Sequence, residues 1–266
     1  MPESASSAWA TPGAGGGVRF VHDAGDPVVF GRPPGATVRM CVPAPDPAAP
    51  ATLRAAVAAD VVRRILEDRY GLQVFTTVVR PGVDAPSRER AVLDRVFRAL
   101  WIPGPAHVAR SFSEVRAHLL VEPAKDRGPA PEGVLRIVVG PVVPDGQAPA
   151  GEPDLLPTRL AFLAAGLREE IALGPDQLAE AAATLARWRE RVAQWGAEAS
   201  SRMPETVVRK AYAALDDDVG TPVLLGILDR VEADPEIGDG AKFELFVHLD
   251  RFLGLDLPRC LGSGHR

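Results

Sequence analysis

The chain has 266 residues, a formal charge of −5, 46% hydrophobic content and two cysteines, Cys41 and Cys260. That length permits one large domain or two ordinary ones, with enough apolar residues for a sizeable core. The acidic balance excludes a global pull toward nucleic acid or anionic membrane. Two distant cysteines exclude a disulfide framework, and no apolar run nears the roughly 20 residues of a membrane span.

Residues 1–17 are rich in Gly, Ala, Ser and Pro and read as a disordered tail. They lack the basic start and apolar stretch of a signal peptide, and the two distant cysteines lead to the expectation of a reducing, cytoplasmic location. Val38–Val42 reads as a buried strand behind a Pro-Pro-Gly turn. Thr52 is placed to cap a helix running to Tyr70, with Leu53, Val57, Val61 and Ile65 on one face and Gly71 ending it. Val74–Val79 is β-branched and reads as a second strand. Strand, helix and strand in this order form a βαβ unit with a parallel sheet. Further helices are expected over Pro86–Leu100 and Ser113–Val121, and a strand over Val134–Val139. The Pro/Gly-rich stretch Pro141–Pro153 marks a domain boundary.

From Asp154 onward only helices are expected. Leu156, Leu160, Leu163, Leu167 and Ile171 form a first stripe. Pro175 opens a second helix with Leu178, Ala182, Leu185, Trp188, Val192 and Trp195 on one face. Pro204 opens a third, Thr221–Pro222 supplies cap and first turn of a fourth, and the last spans Asp239–Leu253. Short connections imply a bundle. The architecture expected is α/β: a reduced Rossmann-like parallel-sheet nucleotide fold over 18–150, then an α-helical bundle over 151–260.

One string goes further. Ala213-Ala-Leu-Asp-Asp-Asp-Val-Gly-Thr-Pro222 resembles the "ala-met-asp-asp-asp-phe-asn-thr-pro" segment of cysteinyl-tRNA synthetases, class I aminoacyl-tRNA synthetases. Leu160-Ala-Phe-Leu-Ala-Ala-Gly166, the helix Leu178–Trp195 and His248-Leu-Asp-Arg-Phe-Leu-Gly-Leu255 resemble further parts of that family's helical end, in order. Val38-Arg-Met40, Asp60–Leu66, Val74–Asp84 and Ala99-Leu-Trp-Ile-Pro103 resemble its core less closely. The resemblance implies ATP as cofactor, zinc for cysteine selection and tRNA as partner.

The residues for that chemistry are missing. A His-Ile-Gly-His-type signature, whose donors stabilise the ATP phosphates, should precede the first helix; here stands Ala49-Pro-Ala-Thr52. A Lys-Met-Ser-Lys-Ser loop should precede the helical end; Val143–Glu152 holds no lysine. Zinc needs three or four N, S or O ligands, and only Cys41 falls near a ligand's place, so zinc is not expected. The expectation is therefore a catalytically degenerate paralogue whose partner is a protein or a small molecule. It would bind in the old crevice at the sheet's C-terminal edge, nearest Arg32, Arg39, Asp60, Arg80 and Asp84. The alternatives are a diverged ATP-dependent ligase forming an adenylate or amide, and a tRNA-binding accessory protein. The last is disfavoured by 12 Lys/Arg against 19 Asp/Glu over Asp154–Arg259.

Simple structural readings cover the other conspicuous residues. Asp216–Asp218 would favour the positive end of the following helix over binding Mg²⁺. Arg187, Arg189 and Arg191 read as solvated helix charge, and His22, His107, His118 and His248 have no partner at catalytic or metal spacing. Cys41 reads as a small core residue, and Trp188 and Trp195 as core aromatics.

Overall fold

Glycine, proline and β-branched residues set up the βαβ unit much as the sequence indicates. The computed structural model describes residues 17–21, 27–81, 86–125, 132–145 and 155–262. An antiparallel hairpin, β1 (Val18–Val21) and β2 (Pro27–Phe30), comes first. Strand β3 (Thr37–Pro43) leads into helix α1 (Pro50–Arg64), whose end winds on as a π-helical turn over Ile65–Arg69. Gly71, at φ +64°, reverses the chain into β4 (Gln73–Val79), where a residue with a Cβ would be strained. Helix α2 (Pro86–Ala99) returns to β5 (His107–Ala109); β6 (Leu119–Pro123), β7 (Leu135–Val139) and β8 (Val142–Pro144) follow.

The central sheet has five parallel strands in the order β5-β4-β3-β6-β7. The chain builds outward from β3 in one direction and then crosses to β6. This is the strand order of a Rossmann-like fold, with its switch point between β3 and β6. Helices α1 and α2 cover one face. Val38, Met40 and Val42 of the sheet join Val57, Val61, Leu93 and Phe97 in one core. The opposite face carries a small separate cluster of Cys41, Val79, Ala109 and Leu120. Val115 and Ala117, from the segment between β5 and β6, pack onto it. Phe75, on that same face, is 49% exposed.

The helical region holds α3 (Leu156–Ala164), α4 (Pro175–Trp195), α5 (Glu205–Asp216), α6 (Thr221–Ala233) and α7 (Asp239–Leu253). Pro175 sits in the first turn of α4, and the Gln177 side chain accepts the Gly174 N–H at 3.0 Å, closing one orphan donor. Trp188 and Trp195 meet Phe246 edge-on at 5.8 and 5.1 Å, the geometry that aromatic quadrupoles favour. Gly254 ends α7 at φ +62°, and any Cβ there would lie 2.8 Å from the Arg159 guanidinium.

Several expectations are corrected. Ser113–Val121 is not a helix: a 3₁₀ turn over Phe112–Glu114 precedes strand β6, because pairing with β3 and β7 outweighs a short ambiguous apolar run. The region after Asp154 is not purely helical, since β9 (Ile171–Leu173) pairs in parallel with β8. Helix α3 therefore stops at Ala164, before Leu167 and Ile171. On α4 it is Ala181 that is buried, while Ala182 faces solvent. Thr52 is not a cap but lies buried inside α1, behind Ala49 and Pro50. Thr221 lies within α6 and donates its hydroxyl to Leu163 O at 2.8 Å, tying α6 to α3. Residues 1–16, most of the 141–153 loop, His22 and Asp84 lie outside the described residues.

Candidate functional site

The C-terminal edge of the sheet, at the β3/β6 switch point, is where this fold places ligands. There Ala44 follows β3 and donates its N–H to Val79 O at 2.9 Å. Arg80 follows β4, donates its backbone N–H to Ala109 O at 2.9 Å, and directs Nη1 to Ala44 O at 3.3 Å. Helix α1 begins at this edge with Pro50 and no side-chain cap.

One turn in, Arg54 is 2% exposed and donates to four backbone carbonyls. Nη1 reaches Gly140 O and Pro141 O at 3.0 Å and Glu169 O at 2.7 Å; Nη2 reaches Gly166 O at 2.9 Å. Gly140 permits this closure, because a Cβ would stand 2.0 Å from Glu169 O. The chain's own arginine and backbone thus fill the space beside the first turn of α1.

On the second sheet face, Cys41 is 1% exposed and its thiol is pushed up to about 12, by burial first and by the nearby Glu122 charge second. A thiol so protonated is not a nucleophile at neutral pH. Glu122 and Arg136 form a buried ion pair at 2.8 Å on this face.

Of the five residues expected around one crevice, the four that are described are dispersed. Among those four, only Arg80 lies at the C-terminal edge. Arg39 lies near the start of β3, with its N–H donating to His118 Nδ1 at 3.1 Å, and Arg32 lies before β3 with its guanidinium 6.0 Å from the Phe30 ring centre. Burial, then Arg32 and Arg39, lower the His118 pKa, so these three gather at the opposite end of the sheet. Asp60 is buried within α1. Its Oδ2 accepts from Arg159 and Arg64 at 2.7 Å each, and its Oδ1 from Arg63 at 2.8 Å. Burial drives its carboxyl upward, but the three arginines outweigh it and hold it below the ordinary carboxylate value. Asp84 lies outside the described residues.

Residues 216–218 act as fasteners, Asp216 on the end of the first helix and Asp217 and Asp218 on β1. Asp216 takes a forked bond from Arg69 at 2.6 and 2.9 Å and a bond from the Tyr70 hydroxyl at 2.5 Å. Asp217 pairs with Arg19 of β1. Asp218 accepts Val21 N–H at 3.1 Å and Arg168 Nε at 3.2 Å. The arginines of α4 are likewise engaged: Arg187 with Glu232 and Asp229, Arg189 with the carbonyls of Leu255 and Asp256, and Arg191 with Gln194. Sequence reasoning missed Arg54 and Arg159, since the groups that each holds are more than 50 residues away in the chain.

Fold and edge together define a Rossmann-like nucleotide-fold protein carrying a helical region. No family model matches the chain. It is 36% identical over 104 residues to the L-cysteine:1D-myo-inositol 2-amino-2-deoxy-alpha-D-glucopyranoside ligase of Nakamurella multipartita. That match takes in 39% of this chain and 24% of the ligase, so the chain spans about a quarter of that relative's length. This distant, partial similarity to a cysteine ligase supports a relation at the level of a class I synthetase-like family. No helix among the described residues is long and apolar enough to cross a membrane.

Proposed function

We propose that the chain is a binding or regulatory protein on a cysteine-ligase-like scaffold that no longer performs adenylate chemistry. The observation that carries this reading is the first turn of α1. A class I synthetase would present phosphate-stabilising donors there, whereas this chain presents Ala49, Pro50 and Ala51, with Arg54 committed to four carbonyls. The thiol of Cys41, pushed up to about 12, offers no substitute nucleophile. The partner, a protein or a small molecule, would meet Arg80 at the C-terminal edge. ATP–pyrophosphate exchange assayed with every proteinogenic amino acid should give no rate above the no-enzyme control. Exchange with any one of them overturns the proposal.

The similarity to a ligase that joins L-cysteine to an amino sugar favours a second reading, a diverged ATP-dependent amide-forming ligase. Under it, a non-hydrolysable cysteinyl-adenylate analogue raises the melting temperature in proportion to the logarithm of its concentration. Absence of any shift at millimolar analogue removes this reading.

A further inference from the structure

We propose that the groove between α4 and α6 is a docking site for a basic amphipathic helix of a partner protein. The groove encloses about 500 Å³ and is lined on both banks by helical stripes. Helix α4 contributes Gln177, Glu180, Ala181 and Thr184, continuing to Trp188. Helix α6 contributes Pro222, Leu225, Gly226 and Asp229. Both sets follow the three-and-four spacing of one helix face. At about 1.5 Å per residue, the α4 bank runs for roughly 17 Å, the length of three helical turns. An elongated groove between two helical stripes fits the ridge of a third helix, and Ala161 and Ala164 of α3, which line it with Ala181, admit bulky aliphatic side chains.

Charge selects the partner. No Lys or Arg lines the groove, and one carboxylate stands on each bank, Glu180 on α4 and Asp229 on α6. Arg187 approaches Asp229 at 3.3 Å from outside the groove and also pairs with Glu232. With Arg187 on Asp229 and the Arg230 guanidinium beside Gly226, the carboxylate without an ion pair among the described residues is Glu180 on the α4 bank, and a lysine on the incoming helix would complement it.

Gly226 gives an independent reason to read the groove as functional. It lies inside α6, where glycine weakens a helix relative to alanine. Packing does not demand it: an added Cβ would meet nothing nearer than the Arg230 guanidinium at 3.6 Å. What glycine achieves is to keep the α6 bank low and the groove open. One turn earlier on α6, Val223 is 56% exposed and extends the apolar surface beside it.

This site is separate from the sheet edge, so the outcome of pyrophosphate exchange leaves it unaffected. The test is fluorescence anisotropy on the full chain with a labelled Leu/Lys model helix of about four turns, against a matched Leu/Glu helix. The Leu/Lys helix should bind saturably, and the Leu/Glu helix should not. Gly226→Leu, which fills the groove without touching its rim, should weaken binding about tenfold, as should E180K/D229K. Gly226→Ala should melt no lower than the unsubstituted chain and bind more weakly. It supplies the steric arm if Gly226→Leu fails to fold. Amide-exchange protection by bound peptide should fall on 177–188 and 222–229. Unchanged binding by the Gly226 variants, equal binding of the two peptides, no binding of either, or protection elsewhere each overturns the proposal.

Discussion

The Asp60–Arg159 pair joins α1 to α3 with neither side chain exposed to solvent, and its disruption can be worked through in numbers. In Asp60→Asn the Arg159 charge stays buried and keeps its bonds to Leu100 O at 2.9 Å and Leu253 O at 2.6 Å, but it loses its ion-paired carboxylate, leaving Asp250 as a negative charge nearby. Leaving a buried charge without its counter-ion costs about 3–5 kcal/mol, against a total stability on the order of 5–15 kcal/mol. With a urea dependence near ~2 kcal/mol per molar, the unfolding midpoint should fall by roughly 2 M. The pH dependence has a defined sign. Arg159, Arg64 and Arg63 hold the folded Asp60 carboxyl below its ordinary value despite burial, so its contribution is complete above the unfolded pKa of about 3.9. It is lost as pH falls through the folded pKa. The gap between the unsubstituted chain and the Asp60→Asn variant should therefore be widest at neutral pH and close in acid. Equilibrium urea melts at a series of pH values measure it. A gap under about 1 kcal/mol at pH 7, or one that widens toward acid, refutes the assignment.

Arg54→Met removes four bonds from a buried guanidinium to carbonyls and should cost about 3–5 kcal/mol, with faster amide exchange over 166–169; an effect below about 1 kcal/mol contradicts it. Gly140→Ala places a methyl 2.0 Å from Glu169 O, so it should yield insoluble or strongly destabilised protein, read by soluble yield and melting temperature. With its thiol pushed up to about 12, Cys41 should resist a disulfide reagent at pH 8 until denaturant is added, while the half-buried Cys260 reacts in the native state; two fast thiols contradict this. Asp216→Ala frees Arg69 and the Tyr70 hydroxyl at a partly exposed site and should cost only about 1–2 kcal/mol in a urea melt.

Elements with strong local chemistry were legible in the sequence. Pro175, Pro222 and the glycines at 71 and 254 punctuate helices by backbone rules that hold in any context. Strands of three to five residues were not. Residues 142–144 and 171–173 are too short to show a period, and Leu119–Pro123 exists as strand only because β3 and β7 flank it. The candidate site was less legible than the fold. Asp216–Asp218 could be read as structural from their position before α6, but not their separate attachments to the end of α1 and the first hairpin. The sequence alone does not separate Arg32 and Arg39 from Arg80, whereas strand direction puts the first two at one end of the sheet and Arg80 at the other.

The three adjacent aspartates carry a consequence for the order in which the chain can fold. Apart from Arg168, their partners lie 146 to 198 residues earlier, at Tyr70, Arg69, Val21 and Arg19. During synthesis the β1–β2 hairpin leaves the ribosome long before residues 216–218, which fasten it. An isolated two-stranded hairpin is marginal in water, so this one has no stable place until residues 216–218 emerge. Closing so long a loop should make hairpin docking a late event, coupled to assembly of the helical region.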